Sequence, residues 1–368
     1  MPYQETVISM SFLKGPRNYA FINARVRGIR SKMLTISQYE KLIQASDLDE
    51  AVRLLSATPY WDELSKVLSQ PPIDMEEVDA MLRQIYAKEV KSLAKSLPKK
   101  VSEFVLKYLK GAYYYSNIKT IIKIINSGEP RDHIRKHLVA LTLEEGEEYD
   151  HLLAAQNVPQ LVDRIPDPRL RRRLQEALQK YEATGSTMPF EAELNKYFFH
   201  DEIWKAIRNY LDRTDQKYAR EFFGLRIDLT NIMTVIRAKL QGIEPQIIED
   251  LLIPVTHRAT LIARSLLAVR NIEEALNMLT TTPYRELAHR IKEAYEKSPT
   301  ITSVEHAFEE YSIQTTYLSV IGYPFHIGTV LAYLDLKYYE LRNIKIILVG
   351  KSEGVNPATI RELIVITP

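Results

Sequence analysis

The sequence predicts an all-α protein built from one helical unit used three times. Three observations carry that reading. Apolar residues recur at helical spacing along almost the whole chain. Gly and Pro number only 12 and 18 among 368 residues, too few for a disordered or many-stranded chain. Three segments open with the same helix-start signal, and each is followed by the same second helix in register.

The start signal is a capping box. Asp47 to Glu50, Asn157 to Gln160 and Asn271 to Glu274 each set a capping side chain three positions before Glu or Gln, so that otherwise orphaned helix amides are satisfied reciprocally. Each box opens an apolar stripe with the spacing of one helix face: Leu48, Ala51, Val52 and Leu55, then Val158, Leu161, Val162 and Ile165, then Ile272, Ala275, Leu276 and Leu279. Pro59, Pro166 and Pro283 stop these helices. One capping box is a degenerate pattern, so registration decides. Thr58-Pro59-Tyr60 and Thr282-Pro283-Tyr284 stand 224 residues apart, twice a period of about 112 residues.

A second helix alternates with the first. Asn117, Asn231 and Asn343 are each followed by Ile and an apolar stripe, and Gly128, Gly242 and Gly350 are expected as the C-terminal caps. The distance from capping box to the next Asn-Ile helix is 70, 74 and 72 residues. Three units therefore fit end to end, over 1–129, 130–243 and 244–368. A period this long exceeds the roughly 20 to 50 residues of ordinary solenoids, which makes each unit a small helical domain. Three such units close into a ring or funnel about a pseudo-threefold axis, with an open arc as the alternative.

Composition bounds the function. Lys and Arg total 49 against 47 Asp and Glu, a net charge of +2, so no global bias steers the chain to nucleic acid or anionic lipid. The absence of cysteine excludes a disulfide framework and cysteine metal sites and fits a cytoplasmic compartment. No run approaches the roughly 18 apolar residues of a membrane helix, and the start Met-Pro-Tyr-Gln-Glu lacks the blocks of a signal peptide. Contact with a membrane is therefore expected only through a partner.

Several motifs invite chemistry and are weighed against plainer readings. Val349-Gly350-Lys351-Ser352 ends like a phosphate-binding loop, but Lys345 stands where the first glycine is needed, so the amide cradle is absent and a glycine-ended helix is expected. His133 and His137 have a metal-compatible spacing, yet Arg131, Arg135 and Lys136 oppose a cation there. The other six histidines are scattered singly, which gives no catalytic constellation, no metal site and no cofactor site. The run Arg169, Arg171, Arg172 and Arg173 has no interleaved aromatics and reads as an exposed face with internal ion pairs. Tyr113, Tyr114 and Tyr115 read as packing residues. A polar seam recurs on the second helix: Asp228 with Asn231, and Glu340 with Asn343, place a carboxylate and an amide on one face. It either lines a lumen and meets a partner or satisfies backbone groups of a neighbouring unit. The first unit has Tyr114 before Asn117, so the seam is not fully threefold.

The stretch Asn18-Tyr-Ala-Phe-Ile-Asn-Ala-Arg-Val-Arg-Gly-Ile-Arg-Ser-Lys-Met-Leu34, the segment Glu50 to Tyr60, and the ending Glu340-Leu-Arg-Asn-Ile-Lys-Ile-Ile347 with Gly350 and Ile360 to Ile364 resemble the C subunit of archaeal A-type ATP synthases. Its relatives are the C subunit of bacterial V-type enzymes and the d subunit of eukaryotic vacuolar ATPases. The resemblance spans the whole chain, and its motifs are specific as a set. It implies a non-catalytic three-unit funnel, one copy per complex, on the cytoplasmic face of the cell membrane. There it would couple the central shaft subunits to the membrane proteolipid ring for ion-driven ATP synthesis. It also makes the amphipathic helix carrying Arg25, Arg27, Arg30 and Lys32 characteristic, as a surface that docks a partner helix or the polar loops of the ring. The middle unit departs most, with Asp163-Arg-Ile-Pro-Asp-Pro168 where its sisters have Thr-Pro-Tyr. A soluble helical scaffold that gathers peptide or protein partners in a central groove is the rival from another class.

Overall fold

The computed structural model describes residues 3–69, 72–128, 138, 143–255 and 260–366, and among them it holds helices and no strand. His133, His137 and His257 lie outside the described residues, as do Arg131, Arg135 and Lys136. Contacts divide the chain into two compact units. One comprises Met1–Leu106, Tyr210–Phe222 and Thr302–Pro368, and the other Lys107–Asn209 and Phe223–Ile301. This cut by contact differs from the cut by repeat, because it gathers distant stretches of the chain into one body.

The first unit contains α1 (Tyr3–Arg30), α2 (Ile36–Gln44), α3 (Leu48–Leu55), α4 (Trp61–Leu68) and α5 (Met75–Ala94). It is completed by the opening residues of α6 (Lys99–Ser127) and, from later in the chain, helices over Ile301–Ile321, Ile327–Ser352 and Pro357–Leu363. In chain order the helices between are α7 (Leu143–Leu153), α8 (Val158–Asp163), α9 (Pro168–Thr184), α10 (Met188–Lys196), α11 (Trp204–Tyr210), α12 (Arg213–Leu240), α13 (Pro245–Leu251), α14 (Thr260–Ala268), α15 (Ile272–Leu279) and α16 (Arg285–Lys297). The last three helices are α17, α18 and α19.

The core of the first unit is α18. Every residue from Ile327 to Lys337 is buried, so this stretch has no solvent face, and its apolar residues fall on all sides of the helix. It packs on α5, α1, α3 and α19. α1 offers Tyr19, Ile22 and Val26, one helix face, to that core. Ile313, Ala332, Leu336 and Val365 form a buried cluster with Met33, Tyr317 and Tyr339 against it.

In the second unit, α9 packs along α10 and α15 along α16. Between α10 and α11 the helix widens into a π turn over Tyr197–Ile203. The extra residue of such a turn re-aims side chains, and here the ring of Phe198 lies over Gly111, where an added Cβ would stand 2.7 Å from it. Tyr115 is buried against Tyr197 and Phe198, in agreement with its reading as a packing residue.

The three capping boxes form as expected, with one difference in detail. Asp47, Asn157 and Asn271 accept the amides of Glu50, Gln160 and Glu274 at 2.8, 3.0 and 2.9 Å. The reciprocal side chains reach one residue further back, to the amides of Ser46, Gln156 and Arg270. After the first and third boxes, Thr58 and Thr282 each donate to the carbonyl three residues earlier at 2.7 Å, which turns the chain toward Tyr60 and Tyr284.

The expected cap at Gly350 is wrong. Gly350 lies within α18, and a Cβ there would meet the Ile360 side chain at 2.8 Å. The true cap is Gly354, with φ +66, matching Gly128 at +74 and Gly242 at +69. All three stand 11 residues after their Asn, in the left-handed conformation that a glycine adopts without Cβ strain. The sequence suggested Gly350 because it came first.

Candidate functional site

The seam residues are the most regular feature of the two units. Asn231 on α12 and Asn343 on α18 are buried, and each forms two hydrogen bonds with the backbone of one residue, 22 positions further on. Asn231 donates to the Ile253 carbonyl at 3.1 Å and accepts the Ile253 amide at 2.8 Å. Asn343 does the same to Val365, at 2.7 and 3.2 Å. An amide side chain supplies donor and acceptor side by side without any change of charge. The intervening path is also the same: a left-handed glycine, a short helix begun by Pro245 or Pro357, and an extended residue, Leu252 or Ile364, just before the one clamped by the Asn. Asn117 is buried as well, and Val139, 22 positions after it, lies outside the described residues.

The carboxylates three positions earlier meet the tyrosines of the Thr-Pro-Tyr segments. Tyr284 donates to Asp228 at 2.5 Å within the second unit. Tyr60 donates to Glu340 within the first, where the Leu34 amide and Lys337 also bond the same carboxylate. Lys337 touches Tyr60 and lies 3.6 Å from Glu89, which in turn accepts the Tyr333 hydroxyl. Burial, followed by the negative charge of Glu340, pushes the Tyr60 phenol well above its ordinary range. It therefore remains a neutral donor at any physiological pH.

At the first copy the residue types differ. Tyr114 occupies the position of Asp228 and Glu340, while Asp167 caps α9 where Tyr60 and Tyr284 stand before α4 and α16. The Tyr114 phenol is pushed up by burial, then by Glu148, to which it is hydrogen-bonded, and Asp167 accepts the Tyr197 hydroxyl.

The sequence reading missed two residues of this set, Lys239 and Lys351, each eight positions after the seam Asn. Lys351 donates to the Ala45 carbonyl at 2.6 Å, and Lys239 to the carbonyls of Val269 and, at 3.3 Å, Leu267. Burial lowers the pKa of both. Ala45 and Val269 each precede their capping residue by two positions. The signal was present as a fixed interval of eight, but Lys351 was absorbed into the apparent phosphate-loop motif.

The basic residues of α1 divide. Arg25 is bonded to the Ser92 carbonyl at 2.9 Å and to the hydroxyls of Ser92 and Ser96. Arg30 lies over the Tyr317 ring at 5.4 Å. Arg27 and Lys32 are exposed. The arginine run on α9 is engaged within its own unit: Arg173 pairs with Asp201 at 2.6 Å and Glu193 at 3.3 Å, and Arg171 donates to the Ile165 carbonyl at 2.7 Å. Among the described residues no group of three His, Cys, Asp or Glu is placed to hold a metal ion.

Fold and site together define a class: a helical repeat protein whose buried polar side chains bind its own backbone at repeated intervals. The family described as the ATP synthase (C/AC39) subunit matches residues 22–363. The chain is 27% identical to the C subunit of the A-type ATP synthase of Methanocaldococcus jannaschii over 354 residues, covering 94% of this chain and 86% of that one. It is 27% identical to that of Thermococcus kodakarensis, with 94% and 90% covered, and 24% identical to that of Halobacterium salinarum, with 93% and 96% covered. The chain belongs to the family of the ATP synthase (C/AC39) subunit.

Proposed function

We propose that this chain is the non-catalytic central-stalk subunit of an A-type, V-type-like rotary ATP synthase, coupling the rotating shaft to the membrane proteolipid ring. The observation that carries the reading is the family match over nearly the whole chain, together with relatives named as the C subunit of A-type ATP synthases that are covered along most of their own length. A torque coupler needs stiff parts. Long helices whose polar groups are tied to backbone at repeated positions meet that need, because each buried bond must be broken before one helix slides on another.

The partners in this reading are the shaft subunits and the proteolipid ring, with one copy per complex and no nucleic acid. No described helix is long and apolar enough to cross a membrane, so attachment on the cytoplasmic side of the cell membrane runs through the ring. Three helical units suit this role. On α1 the partner contact falls to Arg27 and Lys32, since Arg25 and Arg30 are engaged internally. Asp228, Asn231, Glu340 and Asn343 serve the contact indirectly by fixing the helices that present it.

Reconstitution tests the reading. The purified chain is mixed with detergent-solubilised ring and with shaft subunits. A ternary complex is expected, and the Arg27→Glu, Lys32→Glu variant should weaken one of its two interfaces. Failure to bind either partner overturns the assignment.

A further inference from the structure

The middle repeat departs from its sisters where α8 gives way to α9, and within the second unit that departure lines a concavity of about 530 Å³. Its walls are His151, Gln160, Asp163, Arg164, Pro166 and Arg171. Counted from the capping residue, Arg164 stands where the first and third copies have Leu54 and Met278, and Gln160 where they have Glu50 and Glu274. An apolar residue has become a cation and a carboxylate has become a neutral amide, so each replacement makes the spot one unit more positive. Arg171 has a counterpart in Arg285, which donates to the Thr280 carbonyl at 3.0 Å. What the middle copy adds is therefore Arg164, with Gln160 beside it.

Both arginines are half-buried and held by uncharged acceptors. Arg164 donates through Nη1 to the His151 carbonyl at 2.9 Å, with the His151 ring nitrogen Nδ1 at 3.5 Å. Arg171 donates through Nε to the Ile165 carbonyl at 2.7 Å and through Nη2 to the Pro166 carbonyl at 3.4 Å. Carbonyls fix a guanidinium in place without cancelling its charge. Among the described residues neither arginine pairs with a carboxylate, and Asp163, on the rim, accepts Gln175 at 3.2 Å instead. Nε and Nη2 of Arg164 and Nη1 of Arg171 stay open, as does the amide nitrogen of Gln160, whose oxygen takes the Gln156 amide at 2.9 Å. We propose that this concavity is an oxyanion site that takes a phosphate group, with Arg164 and Arg171 as its cations and Gln160 as a neutral donor. The three donor groups match the three terminal oxygens of a phosphate ester, and the two cations its charge of about −1.5 to −2. Guanidinium forks already held in position lose little freedom on binding. The site does not depend on the rotary reading, because it lies on one repeat of the chain alone.

Isothermal titration calorimetry of the full-length protein with inorganic phosphate, at an ionic strength held constant with sodium chloride, tests it. The unaltered chain should show one saturable site. Arg164→Leu, which installs the residue of the first copy, should weaken binding at least about tenfold. Gln160→Glu keeps the bond to the Gln156 amide but returns the carboxylate of the sister copies, and it should weaken binding likewise without lowering the unfolding midpoint. Flotation with phosphatidylcholine vesicles containing phosphatidylglycerol then identifies the source of the phosphate. Vesicle binding that Arg164→Leu abolishes assigns the site to a lipid headgroup, and absence of flotation assigns it to a soluble phosphate compound. No saturable phosphate binding by the unaltered chain, or equal affinity in the unaltered chain and Gln160→Glu, overturns the proposal.

Discussion

Replacing Asn231 by Ala removes one side chain that satisfies two buried backbone groups at once. The Ile253 amide and carbonyl, held at 2.8 and 3.1 Å, lose their partner in a place where both asparagine and isoleucine are about 1% exposed. Leaving one buried polar group unpaired costs about 1–3 kcal/mol, so the pair predicts a loss of about 2–5 kcal/mol. That is a large share of the roughly 5–15 kcal/mol by which a domain is stable. Asn231→Asp sharpens the case, because the isosteric carboxylate still accepts the Ile253 amide but faces the Ile253 carbonyl with a lone pair. Burial and that carbonyl raise the introduced carboxyl's pKa above its unfolded value near 3.9, so this variant is expected to lose stability as pH rises through the raised value and to recover it as pH falls back toward about 3.9, with the recovery complete below that unfolded value. Urea unfolding followed by circular dichroism at pH 7 and pH 4 measures both. An Asn231→Ala midpoint shift worth less than about 1 kcal/mol would refute the argument that this clamp is a paired buried contact.

Three further outcomes follow from the same geometry. Gly350→Ala should destabilise the protein by about 1–3 kcal/mol in urea unfolding, since the new methyl group meets Ile360 at 2.8 Å inside a packed helix contact. His326 is buried flat against Tyr218, with ring centroids 3.3 Å apart, and burial lowers its pKa to about 4. A neutral buried imidazole makes stability rise with pH between about 4 and 6.5, by at most about 3 kcal/mol, and this slope should vanish in His326→Gln when unfolding is measured across that range. Tyr284→Phe leaves the buried Asp228 without its phenol donor and should cost about 2 kcal/mol, measurable as a lowered unfolding midpoint.

The sequence was informative where the physics is local. A capping box depends on residues three apart, and all three boxes form. A left-handed glycine depends on one backbone angle, and two of three were placed correctly. Gly350 misled because a glycine inside a helix, chosen for the approach of Ile360, looks identical in sequence to a glycine that ends one. The seam was found as a pattern, but the clamped residues and the tyrosines that it holds lie at separations of 22 to 280 residues, where no local spacing rule reaches. Lys239 and Lys351 were passed over for the same reason. Their carbonyl acceptors belong to no motif, since every residue offers one. The division of α1's cations into engaged Arg25 and Arg30 and exposed Arg27 and Lys32 likewise required knowledge of α5 and of Tyr317.

The burial of α18 bears on how the chain is made. Residues 1–106 find their central helix only at 327–352, after the segment that forms most of the other unit has been synthesised. On a ribosome adding about 5–20 residues per second, that interval lasts at least ten seconds or so. The earliest helices must therefore wait with their apolar faces uncovered while later residues complete their own core. The last long helix to emerge is the one that releases them from that exposure. Cellular holding factors, or a partner already bound, would find their natural substrate in this waiting N-terminal segment.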